Sequence, residues 1–196
     1  MKKSTTWIIA VVAILCLYGG CSYNGFVSAE ENVNKAWADV QADYQRRYDL
    51  IPNIVNTVKG YADTESKILT DVVEARNKAT QMTLSVDSLG KVDEAYMENF
   101  RKVQAELSGS LSRLMAITEA YPDLKSNEQF MKLQDQLEGT ENRIKESRKS
   151  YNAAVQDYNL TIRSFPKNIL AGMFGFNVKP SFSADEGAEK RVDVQF

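Results

Sequence analysis

The sequence predicts an all-α protein: an N-terminal membrane segment, an antiparallel up-and-down bundle of long helices with the first kinked near Pro52, and an irregular C-terminal tail. Three observations predict it. Only 10 glycines and 4 prolines punctuate 196 residues, and Ala, Glu, Lys, Gln, Leu and Asn fill the middle of the chain, a composition that favours helix. Apolar residues recur at steps of three and four through three stretches. A run without any charge, between Lys3 and Glu30, precedes them.

Residues 1–28 are the membrane segment. Trp7, Ile8, Ile9, Val11, Val12, Ile14, Leu15, Leu17 and Tyr18 form its apolar body, and 21 uncharged residues run from Trp7 to Val27. A helix needs about 20 residues to cross the hydrocarbon layer. Lys2 and Lys3 precede the run and Glu30 and Glu31 follow it, which keeps the N-terminus in the cytoplasm and places the body outside. Three readings share that topology: an uncleaved single-pass anchor, a lipoprotein acylated at Cys21 after Gly19-Gly20, and a cleaved secretory signal. Tyr18 occupies a position where a lipoprotein signal usually carries a small branched aliphatic, so the span length favours the anchor.

Residues 29–166 are the bundle. Val33, Trp37, Val40, Tyr44, Tyr48, Ile51, Val55, Val58, Ala62, Ile68 or Leu69, Val72 and Ala79 mark one face of a first helix reaching about Thr80. Pro52 removes a ladder hydrogen bond inside it, so a kink is expected there, or else a full break. Residues 85–90 read as a polar connection. Tyr96, Phe100, Val103, Leu107, Leu111, Leu114 and Thr118 then mark a second helix, closed around Pro122. Ser126 with Gln129 has the spacing of a capping box. Phe130, Leu133, Leu137, Thr140, Ile144, Ser147, Tyr151, Ala154 and Tyr158 form the seam of a third helix over 127–163. Phe165-Pro166 ends it. Residues 167–196 are the tail, in which Ile169 to Phe176 reads as a lid on one end of the bundle.

The chemistry is bounded by what is missing. There is no histidine, and both cysteines lie in the apolar segment, so the body has neither the commonest general base nor a thiolate ligand. With 24 basic and 26 acidic residues, no basic field exists to hold nucleic acid. Asp49, Asp63, Glu65, Glu74, Glu138 and Glu141 read as solvated faces or partners of Arg46, Arg47, Arg76, Arg143 and Arg148, not as a metal site; a ferritin-like centre would need Glu-x-x-His pairs. The aromatics Trp37, Tyr44, Tyr48, Tyr61, Phe100, Phe130, Tyr151 and Tyr158 follow seam spacing and read as core, with a ligand cleft as the alternative. No catalytic residue and no cofactor are assigned. Glu141 and Arg76 lie close to apolar stripes, and Glu141 is expected to pair across the bundle with an arginine of the first helix, fixing register.

Several segments resemble the LemA family: Tyr23-Asn24, Glu31-x-Val33 with Ala36-Trp37, Arg47-x-Asp49-Leu-Ile-Pro-Asn53, Val58-Lys-Gly-Tyr61 and Glu74-Ala-Arg76. Tyr121-Pro-Asp-Leu-Lys125, Thr140-Glu-Asn-Arg-Ile144, Arg148-x-x-Tyr151-Asn152 and Phe165-Pro166 continue the resemblance over nearly the whole chain. It implies a single-pass membrane protein with a helical-bundle body and supplies no catalytic residues; Cys21 departs from members with no cysteine there. Two functions follow as expectations. The first is a membrane-anchored extracytoplasmic scaffold that binds other envelope proteins or copies of itself. The second is a metal-dependent envelope enzyme, or a regulatory subunit of one.

Overall fold

A computed structural model of the chain describes residues 2–62, 65–89 and 92–183; the side chains of residues 84–89 and of most of the first 17 lie outside the described set. Its helices are α1 (Lys2–Lys59), α2 (Ser66–Leu89), α3 (Glu94–Ile117), α4 (Pro122–Lys125), α5 (Glu128–Arg163) and α6 (Lys167–Phe174). There is no strand among the described residues.

α1 is one rod of 58 residues, about 87 Å at 1.5 Å per residue. The predicted membrane segment and the predicted first bundle helix are therefore continuous. Among the described side chains the first fully buried apolar one, Phe26, comes at the end of the uncharged run. α5 lies antiparallel along α1. Arg47 meets Glu141, and ten residues toward the N-terminus Trp37 meets Tyr151, ten residues toward the C-terminus. The α2–α3 hairpin packs on the half of this pair farther from the N-terminus, where Tyr48 reaches both Thr83 and Gln104. The expected first-helix face from Val33 through Ala79 is buried almost throughout, as is the α5 seam from Phe130 to Tyr158, except that Val155 takes the buried place expected of Ala154.

Four expectations are corrected. The first helix does not run to Thr80, nor does it break at Pro52: α1 passes through Pro52 and ends at Lys59, where Gly60 and Tyr61 turn the chain into α2. Residues 85–89, expected as a connection, are the last turns of α2. The N-cap of α5 is Asn127, whose side chain accepts the Phe130 N–H at 2.9 Å, so the cap stands one residue beyond Ser126. The tail is not irregular throughout: among its described residues only those beyond α6 lack regular secondary structure. It forms α6, closed by Gly175 in the left-handed conformation (φ 80°), and then a strap over 176–183 laid back along α5. Residues 184–196 lie outside the described residues.

Candidate functional site

Glu141 pairs across the bundle with an arginine of the first helix, as its place beside an apolar stripe predicts. Arg47 of α1 is 3% exposed, and its Nη2 donates to Ser108 Oγ at 2.8 Å and to Glu141 Oε1 at 3.0 Å. One guanidinium thus joins α1, α3 and α5. Glu141 is 45% exposed, so the pair stands at the rim of the core with the cation inside and the carboxylate in water. Arg76, the other charge singled out in the sequence, does not touch this pair. Its Nε donates to the Tyr48 carbonyl at 3.0 Å.

That carbonyl explains the uninterrupted α1. In an α-helix the Tyr48 carbonyl would accept the N–H of residue 52, and Pro52 has none. A buried carbonyl without a partner costs roughly 1–3 kcal/mol. Arg76 supplies the missing donor from the neighbouring helix, so the rod tolerates its proline. The signal was present in the sequence, since an interior proline always frees the carbonyl four residues before it.

A second cluster lies nearer the N-terminal half of α1. The Trp37 ring meets Phe100 at 5.7 Å, Tyr151 at 5.3 Å and Phe182 at 6.0 Å between centroids. The Arg148 guanidinium lies over the Phe182 ring at 4.8 Å. Phe182 belongs to the strap, so a residue from the expected tail completes the aromatic core. The strap is held by a ladder that sequence periodicity does not reveal. Asn152 donates to the Phe182 carbonyl (3.0 Å) and accepts the Phe182 N–H (2.8 Å); Asn159 does the same with Lys179 (2.8 and 2.9 Å). Tyr151 Oη donates to the Pro180 carbonyl and Tyr158 Oη to the Asn177 carbonyl, each at 3.0 Å. The two Tyr-Asn pairs of α5 stand seven residues apart and clamp strap positions three apart. Seven helical residues rise about 10.5 Å and three nearly extended residues cover about 10 Å, so helix and strap share one repeat.

Burial pushes the hydroxyls of Tyr151 and Tyr158 up to about 12, and Glu30 adds to the effect at Tyr158. Burial likewise pushes Tyr44 up to about 12 against the opposing pull of Arg148 and Arg47, and raises Tyr48. These phenols are therefore permanent hydrogen-bond donors at neutral pH and not acids. Beside the strap, a cleft of about 1130 Å³ opens toward the start of α3 and is lined in part by Glu30, Glu98, Arg101 and Lys179. Lys179 binds Glu30 at 3.0 Å, Glu98 binds Lys102 at 2.6 Å, and Arg101 donates to Ser183 at 2.9 Å. These four charges already face partners.

Other sequence candidates fall as follows. Among the described residues, no three acidic or cysteine side chains gather where they could hold a metal ion. Asp49 accepts from Gln45 within one turn of α1, and Asp63 lies outside the described residues. Tyr61, expected in the core, is exposed and accepts from Asn127 Nδ2 at 2.9 Å. Cys21 is exposed, as are Trp7 and Tyr18. The side chains of Ile8, Ile9, Val11, Val12, Ile14, Leu15 and Leu17 lie outside the described residues, and among those described no helix is long and apolar enough to cross a membrane.

A family model described as the LemA family matches residues 36–196. The chain belongs to the LemA family. It is similar to magnetosome protein MamQ 2 of Paramagnetospirillum magneticum, 27% identical over 191 residues that cover 90% of this chain and 68% of that protein. It is also similar to magnetosome protein MamQ of Magnetospirillum gryphiswaldense, at 26% over 79% of this chain and 62% of that protein. Protein LemA of Metamycoplasma hominis is 22% identical, covering 87% of this chain and 72% of its own length. In this LemA-family chain the family-like segments meet one another. Arg47 and Pro52 come from one such segment. Arg47 pairs with Glu141 of the Thr140–Ile144 segment, and the carbonyl that Pro52 leaves free is met by Arg76 of Glu74-Ala-Arg76. Tyr151-Asn152 clamps the strap.

Proposed function

We propose that this LemA-family protein is a membrane-anchored, extracytoplasmic helical scaffold that acts by binding and not by catalysis. The observation that carries the reading is the continuity of α1. A 58-residue helix runs from an uncharged N-terminal stretch into the bundle core without a linker, so any membrane held by the first part holds the body in a fixed pose. A rigid post is of use to a protein that presents a surface at a set height and angle. A non-catalytic role is supported by the structural use of the polar groups singled out above: Arg47 with Glu141 and Ser108, Arg76 with a carbonyl, and Tyr151 and Tyr158 with the strap. The N-terminus stays in the cytoplasm because Lys2 and Lys3 precede the apolar run. The partners are other envelope proteins or further copies of the chain.

Two measurements test this. Alkaline extraction of membranes should leave the full chain in the pellet, and the mass of the mature N-terminus separates an intact anchor from acylation at Cys21 or cleavage. Crosslinking in intact membranes should capture a defined protein neighbour. Recovery of a soluble, uncrosslinked monomer would refute both the anchor and the scaffold.

A further inference from the structure

We propose that α6 is a second membrane contact: a short helix that lies on the lipid surface from which α1 emerges, with Phe165, Ile169 and Met173 facing the bilayer. The inference rests on the anchored reading of α1 and adds a surface and a partner to it. Placement is the first argument. α5 runs antiparallel to α1, so its C-terminal end and the α6 that follows lie at the N-terminal end of the body. Phe174 of α6 meets the Tyr23 ring at 5.2 Å, and Phe176 just beyond it meets Tyr23 at 5.8 Å and Phe26 at 5.2 Å. Whether the anchor is a span ending near Val27 or an acylated Cys21, the lipid surface lies at the level of residues 21–27, and α6 is packed beside them.

Chemistry is the second. Ala171 is buried and Leu170 half-buried against the bundle, whereas Phe165 is 83% exposed, Met173 75% and Ile169 57%. Ile169 and Met173 stand four apart on one face, with Phe165 and Pro166 leading into it, so the outward side of α6 bears no charge. Large apolar side chains gathered on one outward face mark an interaction surface more often than a wetted one. Arg163 and Lys167 flank it, as basic residues do on helices that settle among lipid headgroups. Eight residues are too few to span a bilayer and sufficient to lie on one. A lipid contact here would leave the bundle with two attachments, α1 and α6, and so fix its rotation about α1 as well as its height.

The test uses the full chain in vesicles of phosphatidylethanolamine and phosphatidylglycerol, with a photoreactive benzophenone side chain placed in turn at 169, at 173 and, as a control, at 131. Met131 is also exposed, but it lies about 48 Å along α5 from Arg163. Flotation of the vesicles is measured first, then the mass of the photoproducts. Lipid adducts at 169 and 173, with none at 131, are expected. Flotation with no lipid adduct at 169 and 173, or with protein adducts there instead, would overturn the α6 contact while leaving the anchor standing. Failure to float would remove the anchor and this inference together.

Discussion

Replacing Arg76 should destabilise the bundle only for as long as Pro52 is present. Arg76→Ala strands the Tyr48 carbonyl, which sits on a residue 0% exposed and has no N–H at position 52 to turn to. An unsatisfied buried acceptor of this kind costs roughly 1–3 kcal/mol, the upper part of the range being typical when the lost donor was charged. For a body of this size about 2 kcal/mol lowers the melting temperature by roughly 4–8 °C. Pro52→Ala restores the intrahelical donor and relieves the ring's push on the same carbonyl, and should stabilise by itself. In that background Arg76→Ala removes only half-buried stem packing and should cost less than about 0.5 kcal/mol. Urea unfolding of the four proteins, wild type, two singles and the double, followed by circular dichroism in detergent, gives the coupling directly. We expect about 1–2 kcal/mol of coupling. Additivity within about 0.3–0.5 kcal/mol would refute the account of how α1 passes its proline.

Asn152→Asp keeps an acceptor for the Phe182 N–H but sets a carboxylate against the Phe182 carbonyl, so the strap should detach at a cost of about 1–3 kcal/mol; amide exchange at 179–182 should rise while helical circular dichroism holds, and unchanged protection would count against the clamp. Glu141→Gln should cost about 1 kcal/mol, because the pair's outer member is half in water, and Arg47→Met with Glu141→Gln should recover that loss by removing the buried charge; a double variant weaker than the single in urea midpoint would contradict the pairing. Alkaline stability follows from the tyrosines. The folded values of Tyr44 and Tyr151 are raised to about 12 from 10, so the neutral phenol is favoured in the fold. That contribution is whole below pH 10 and is lost as pH climbs toward 12, by up to about 2–3 kcal/mol for each. Tyrosinate absorbance from these two should appear together with loss of helix, and ionisation near pH 10 in an intact fold would refute it.

The parts legible in the sequence were those that follow from period and composition. Burial of Val33, Trp37, Val40, Tyr44, Tyr48 and Ile51 on one face, and of Phe130 through Tyr158 on another, follows from seam spacing alone, because an apolar stripe on a rod must be covered. Boundaries were less legible. Pro52 carries a strong local signal for interruption, yet the helix continues because a tertiary contact from Arg76 meets its demand, and no local rule contains that contact. The strap was illegible for a related reason. Its order comes from side chains of α5 satisfying its backbone, so segment 176–183 shows neither helical nor strand period of its own. Its trace lay in the other partner, where Tyr151-Asn152 and Tyr158-Asn159 repeat a heptad apart with a polar residue beside each seam tyrosine. Arg47 stands three residues after Tyr44 and four before Ile51, so its place on the stripe was legible although only Glu141 and Arg76 were singled out.

These polar contacts matter because the apolar seam alone leaves α1 and α5 free to slide. A heptad pattern is nearly self-similar after a shift of seven residues, about 10.5 Å, so leucines and valines would pack tolerably in the wrong register. The contacts at Arg47, Trp37 and the strap are not self-similar. A one-heptad slip of α5 would bring either Gln134 or Arg148 toward the Arg47 guanidinium, leaving a 3% exposed cation without its carboxylate or beside another cation. Either outcome leaves the buried guanidinium with no carboxylate, a cost on the order of 1 kcal/mol because Glu141 is half in water. The same slip would carry Asn152 and Asn159 away from the peptide units they clamp. Register is thereby set at several levels along one pair of helices, and setting it fixes where α5 ends. Since α6 begins just beyond the end of α5, the charge at Arg47 and the strap ladder determine the level along α1 at which the exposed apolar face of α6 stands.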